Sequence, residues 1–274
     1  MDHIYLSIGE FILCIQYNQY NNSTFMPGYF KDKIKREILE YISGYIISKP
    51  EREPDYYIEF AEQNQFFQAD LTKDHEGNFR TPYYKISSNN RIITYYHISL
   101  YQFQFILKTI ITRKFAGKKW FIFHSSVINR NEKAYAFTGK SGAGKSTAAT
   151  LLSSTKNYNS LADDTSLVFE EKKKFYIFQT PFIEKNSTIK KGREKYLLEK
   201  VFFLKKSTDY KVRKINNKTL ILEQLTNGLV AFSRAELESQ TKLVFKFIKS
   251  FDQFYFLYFG LDNTKLSTLI DSLK

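Results

Sequence analysis

Eight consecutive residues, Gly139-Lys140-Ser141-Gly142-Ala143-Gly144-Lys145-Ser146, satisfy G-x-x-x-x-G-K-[ST] at every fixed position, and Thr147 follows. Each residue type answers a need of phosphate binding. Glycines let the backbone wrap an anion and turn its N–H groups inward at angles that a Cβ forbids. Lys145 brings a positive point charge to the β and γ phosphates, and Ser146 offers a hydroxyl to Mg²⁺. A helix starting at that point aims its positive end at the same anion. The expected ligand is a nucleotide with its Mg²⁺.

A second set of groups lies downstream. Asp163 and Asp164 are adjacent, 18 residues beyond Lys145, between the apolar pairs 161–162 and 167–168. Neighbours in an extended segment point to opposite sides, so the two carboxylates would serve different partners, one Mg²⁺ and the other an acceptor hydroxyl. Such a pair beside Thr165 and Ser166 is ordinary turn chemistry when it stands alone; behind a phosphate loop it becomes a candidate site. His124 closes the apolar run 121–123, where a lone histidine is by default a hydrogen-bonded structural residue. His3, His75 and His97 have no metal-ligand spacing and there is one cysteine, so the only metal expected is nucleotide-bound Mg²⁺. Glu184 and Glu194 are both open as a third acidic ligand to it.

The elements that must hold these groups are legible in outline. Residues 134–138 are strand-like and run straight into Gly139, and 148–152 suit the helix that follows. Strands are predicted at 120–123, 161–162, 166–170, 174–178 and 201–204, with helices at 220–225 and 233–247. The aromatic run 254–259 reads as a core strand, and Asp262 or Asn263 can cap a last helix whose Leu266, Leu269, Ile270 and Leu273 share one face. Before residue 98 the pattern is mostly β: strands at 4–8 and 11–17 around Gly9-Glu10, then 56–60, 66–71, 83–86 and 91–95, with one helix over 30–47. A helix over 99–115 marks the change of character. The expected organisation is a β-rich region at 1–97 and a catalytic domain at 98–274.

Composition narrows the function classes. With 43% apolar and 17% aromatic residues, the 274-residue chain can bury a sizeable core, which excludes disorder and low complexity. No uncharged apolar run approaches the ~18 residues of a membrane span. The amino terminus lacks a basic region and a cleavage pattern, so a cytoplasmic protein is expected. Cys14 sits in an apolar run and reads as a small buried hydrophobe. A net charge of +13 favours acidic peptides, nucleotides or nucleic acid as partners; the last rests on charge alone and ranks lowest.

Three stretches together resemble a known family. Phe123-His124-Ser125-Ser126-Val127, then residues 136–147, then Leu161-Ala162-Asp163-Asp164 are similar, in order and separation, to the catalytic domain of the HPr serine kinase/phosphorylase family. The resemblance implies an α/β (α+β) P-loop kinase domain with mixed sheets, like that of phosphoenolpyruvate carboxykinase, preceded here by a smaller β-rich domain. It implies ATP and Mg²⁺ as cofactors and a serine hydroxyl of a protein or peptide as acceptor. Carried over by position, Asp163 would be the catalytic base, Asp164 a magnesium ligand with Ser146, Lys145 the phosphate cation and His124 a neighbour of the reacting phosphate. The chain departs from the bacterial regulator at Lys140 and Thr147, where acidic residues are usual, and 185–195 holds one glycine, Gly192, instead of a glycine-rich signature. It is more similar to stand-alone relatives that modify peptides, including kinases of lasso-peptide precursors, and the β-rich region is then a place to hold part of the substrate. The basic segment 185–195 is expected at the surface, near the acceptor or merely solvated. Two other functions share the same phosphate site: a nucleotide-binding regulatory or peptide-recognition module without catalysis, and a small-molecule kinase.

Overall fold

A computed structural model of the chain describes residues 2–17, 28–61, 72–73, 79–80, 83–96, 98–112, 120–182, 184, 189–226, 229 and 234–273. The chain divides into two compact units, Met1–Ile110 and Ile111–Lys274. No helix among the described residues is long and apolar enough to cross a membrane.

In the first unit, β1 (Asp2–Ile8) and β2 (Phe11–Tyr17) make an antiparallel hairpin. Helix α1 (Gly28–Ile42) ends in a single 3-10 turn, and β3 (Ile46–Ile47) returns to pair with Tyr5 and Leu6 of β1. The periodicity that extends this helix to residue 47 is overridden there. Gly44 weakens the helix, and β-branched Ile46 and Ile47 gain a ladder instead. β4 (Tyr56–Ala61), the short pair β5 (Thr72–Lys73) and β6 (Phe79–Arg80), β7 (Tyr84–Ser88) and β8 (Arg91–Tyr95) follow. The main sheet runs β3-β1-β2-β4-β8-β7, with β2, β4 and β8 parallel. The strand expected over 66–71 lies outside the described residues. Helix α2 (Leu100–Ile110) belongs to this unit. It opens on a reciprocal cap: Gln102 N donates to Ser99 Oγ while Ser99 N donates to Gln102 Oε1. Cys14 is buried, and that burial pushes its thiol up to about 11.

The second unit contains β9 (Trp120–Phe123), β10 (Ser126–Arg130), β11 (Lys133–Thr138), α3 (Lys145–Ser153), β12 (Asn159–Asp163), β13 (Ser166–Glu171) and β14 (Lys174–Gln179). Then come β15 (Lys195–Lys206), β16 (Lys211–Lys214), α4 (Lys218–Thr226), α5 (Arg234–Ser250), β17 (Phe254–Phe259) and α6 (Asn263–Asp271). They form a mixed nine-stranded sheet between two helical layers. Period-two alternation splits β11 between the layers. Ala134 and Ala136 join the core of α4 and α5 with Leu225, Val244 and Phe247, whereas Tyr135 and Phe137 join that of α3 and α6 with Ala148, Leu152, Leu266 and Ile270. The aromatic strand β17 is core, as its composition predicts; Phe254 and Phe259 are buried and Asp262 caps α6 by accepting from Lys265 N.

Two features of this sheet place the chemistry. β10 is antiparallel to both β11 and β12, β15 is parallel to β11, and β17 is parallel to β15. The carboxyl ends of β11, β12, β15 and β17 therefore meet the amino end of β10 at one edge, where ligands of open α/β sheets bind. The second feature is a gap in a ladder. Phe123 faces Ser166 and Ser126 faces Asp163, so the register of β9–β10 against β12–β13 runs unbroken across two unpaired positions on each strand. Those positions are His124-Ser125 and Asp164-Thr165. Ser125 bridges the gap: its N–H donates to Asp164 O at 3.2 Å and its Oγ lies 2.7 Å from Ser166 Oγ.

Candidate functional site

The glycine-rich loop follows β11 at that edge. Gly139, Gly142 and Gly144 all have positive φ, at 151°, 75° and 98°. Space as well as backbone angle excludes a side chain at two of them: a Cβ at Gly139 would stand 2.9 Å from Ala143 Cβ, and one at Gly144 would stand 3.1 Å from Phe259 Cζ. The first helical hydrogen bond of α3 runs from Ala148 N to Gly144 O at 2.8 Å, so the preceding turn presents its amide donors toward the loop. Lys145 Nζ is drawn over the loop by the carbonyls of Gly139 at 3.1 Å and Lys140 at 3.4 Å. Lys140 O also accepts from Ala143 N.

A cleft of about 250 Å³ opens above the loop. Ser141, Gly142, Gly144, Lys145, Ser146 and Thr147 supply its floor, and His124, Ser126, Asp163, Asp164 and Lys206 its walls. Of the loop residues that the sequence singles out, Gly139, Lys140 and Ala143 shape the loop from outside the cleft; Ser141, Gly142, Gly144, Lys145, Ser146 and Thr147 line it, as do His124, Asp163 and Asp164. The two carboxylates diverge, as adjacent residues at a strand end must. Asp163, 8% exposed, accepts from Ser126 Oγ at 2.7 Å across the β10–β12 ladder. Asp164 is half-exposed, and its Oδ1 stands 3.3 Å from His124 Nδ1.

Glu184 lies behind this wall, not in it. Its carboxylate accepts from Asp163 N at 2.9 Å and pairs with Lys191 Nζ, which also donates to Thr180 O at 3.1 Å. The Glu184 side chain is 3% exposed. Burial pushes its carboxyl up and the Lys191 ammonium down, each against the attraction of the other. Lys191 is thus no solvated member of a basic surface run. Neither Glu184 nor Glu194 is among the residues that line the cleft.

Ser126 and Lys206 join the site without a decisive sequence signal. For Ser126 the signal is local, since it sits between His124 and an apolar strand. For Lys206 it is only the basic pair that ends β15, and its place in the cleft depends on β15 lying beside β11.

The cradle fits a phosphate chain: its backbone conformation excludes side chains at the glycines, and two ammonium groups, Lys145 and Lys206, face the same space. Ser146 and Asp164 offer oxygen donors, the type that Mg²⁺ prefers. The chain matches no family profile and no curated protein. Among solved structures it is similar to the Hpr(Ser) kinase/phosphatase from Coxiella burnetii, at 12% identity and a TM-score of 0.27, over 55% of this chain and 93% of that one.

Proposed function

We propose that the protein is an ATP-dependent, Mg²⁺-assisted kinase that transfers the γ-phosphate to a serine hydroxyl of a small protein or peptide. The observation that carries this reading is the convergence, in one cleft, of a phosphate-binding loop and a carboxylate held by a neighbouring hydroxyl. A module that only bound nucleotide would need the loop but no acceptor base.

In this reading Asp163 takes the proton of the acceptor hydroxyl as its oxygen forms the new bond to phosphorus and the bond to the ADP oxygen breaks. Ser126 holds the Asp163 carboxylate in place from the next strand. Lys145 and Lys206 offset charge on the transferring group. Ser146 and Asp164 would hold Mg²⁺, whose charge neutralises phosphate oxygens when bound, and His124 orients Asp164. The acceptor is a serine-bearing segment of a peptide, and the surplus of basic residues favours an acidic one.

The test is a mass-spectrometric phosphotransfer assay with ATP and Mg²⁺ against peptides encoded near this gene. A single phosphate added to serine, and lost at least about a hundredfold in Lys145→Ala and Asp163→Ala, is the expected result. Tight nucleotide binding with no peptide modified would sink the reading.

A further inference from the structure

A second cavity, of about 500 Å³, opens toward the start of β12, the strand whose far end carries Asp163. Asn159, Ser160 and Leu161 line this cavity, and Asp163, two to four residues further along, lines the phosphate cleft. At a strand rise of about 3.3 Å per residue, the two places lie about 7 to 13 Å apart along β12.

The lining is polar and its charge is of one sign. Among the described residues that form it, Lys190 is the one cation, Asn129, Asn159, Ser160 and Tyr196 supply amides and hydroxyls, and there is no carboxylate. Asn129 Oδ1 is buried and has no hydrogen-bond partner among the described residues, so nothing there fixes which end of the amide meets a guest. Tyr158 closes one side; its hydroxyl donates to Asp271, which also pairs with Arg130 and does not line the cavity.

Lys190 is held in place from within. Gln179, 2% exposed, donates from Nε2 to Leu161 O and to Lys190 O, each at 2.8 Å. A buried amide thus ties the backbone of Lys190 to the strand that ends in Asp163. The next residue, Lys191, turns instead to Glu184, which accepts from Asp163 N at 2.9 Å. Of two adjacent ammonium groups, one joins the network behind Asp163 and the other, exposed, faces the cavity.

We propose, resting on the kinase reading above, that this cavity is a subsite for the acceptor peptide and takes an acidic side chain two to four residues from the serine that is phosphorylated. An extended peptide rises by the same amount per residue as β12, so a serine at Asp163 brings a residue at that spacing level with Lys190. A carboxylate there meets the Lys190 ammonium and donors from Asn159, Ser160 and Tyr196, a set suited to an acceptor-only group. A basic side chain would meet a like charge. Although β12 is the edge of its sheet, Leu161 O and Asp163 N are engaged by Gln179 and Glu184, so the peptide is held here by its side chain and not as an added strand.

The test uses the full chain with ATP, Mg²⁺ and a peptide library that has one central serine and varied residues on both sides, the phosphorylated fraction being enriched and sequenced. Asp and Glu are expected to be enriched about fivefold over Asn and Gln two to four residues from the serine, on one side only. Lys190→Ala should remove the enrichment and Lys190→Glu should replace it with Lys and Arg. Both variants should phosphorylate a neutral serine peptide at the parent rate, because Lys190 lies outside the phosphate cleft. The subsite is wrong if the parent shows no acidic preference at that spacing, if the preference is spread evenly over all positions, or if it persists in both variants. Equal losses of rate on neutral and acidic peptides also overturn it. If ATP binds and no peptide is phosphorylated, the kinase reading falls, and this inference with it.

Discussion

The floor of the cleft is made by a single passage of chain, β11 through the glycine loop into α3, and the hydrogen bonds from Lys145 Nζ to Gly139 O and Lys140 O that shape the phosphate cradle are local in sequence. Its walls come from the ends of four strands: His124 after β9, Ser126 opening β10, Asp163 and Asp164 at the end of β12, and Lys206 closing β15. The floor uses backbone geometry to bind charge. The walls use side chains, and their positions depend on strand pairings between residues far apart in sequence. Binding and turnover should therefore be separable by mutation.

Comparing Lys145→Met with Asp163→Asn tests that separation with the largest expected effect. Both should lower turnover by about 10²-fold or more. Only Lys145→Met should also weaken ATP binding, and Asp163→Asn should keep ATP affinity within a few-fold, measured by calorimetry. Equal losses of affinity would mean that floor and wall act as one unit.

The buried Glu184–Lys191 pair supports the wall and not the floor, so its loss should appear first as instability. Lys191→Met leaves an uncompensated carboxylate, at a cost of about 3 kcal/mol near neutral pH. The sign of the pH dependence follows from the direction of the shift. Burial already raises the Glu184 carboxyl, and without the ammonium it rises further. The folded state then holds a proton that the unfolded state releases, so stability falls as pH climbs from the ordinary 4.5 toward the raised value. Denaturant unfolding of the variant should show a larger deficit at pH 8 than at pH 5, and Glu184→Gln with Lys191→Met should recover much of it. A deficit independent of pH would mean that the pair contributes packing alone.

Ser126→Ala is the smallest of the three changes. It removes one hydrogen bond to a charged acceptor, of about 1.5 kcal/mol, which corresponds to roughly tenfold in turnover if all of it serves to orient Asp163. Nucleotide affinity should not change. A parallel loss of affinity would show that the two ladders also hold the loop in place.

Much of the second unit is legible in the sequence. The strand before the loop, the aromatic strand β17 and the capped helix α6 all follow from period and cap chemistry. β16 is not legible, because Lys211-Val212-Arg213-Lys214 carries three charges in four residues; it is a strand because β17 offers a ladder to it. The helix α1 stops short of its periodicity for the same reason, a pairing partner in β1. Lys191 lies within a basic run that composition assigns to solvent, yet it is partly buried and paired with the carboxylate of Glu184. In each case a partner distant in sequence outweighs a local tendency.

The amino-acid sequence by itself determined the phosphate loop, because a strand, three glycines able to take positive φ and a helix start are local properties that need no distant partner. It also implied that Asp163 and Asp164 would meet different partners, as adjacent extended residues do, although both border the same cleft. Which one would meet which neighbour was decided by tertiary structure. The register that continues from β9–β10 across the gap to β12–β13 sets Asp163 against Ser126 and Asp164 beside His124. Strand register is fixed by burial of whole faces, and a shift of one residue would have exchanged the two carboxylates.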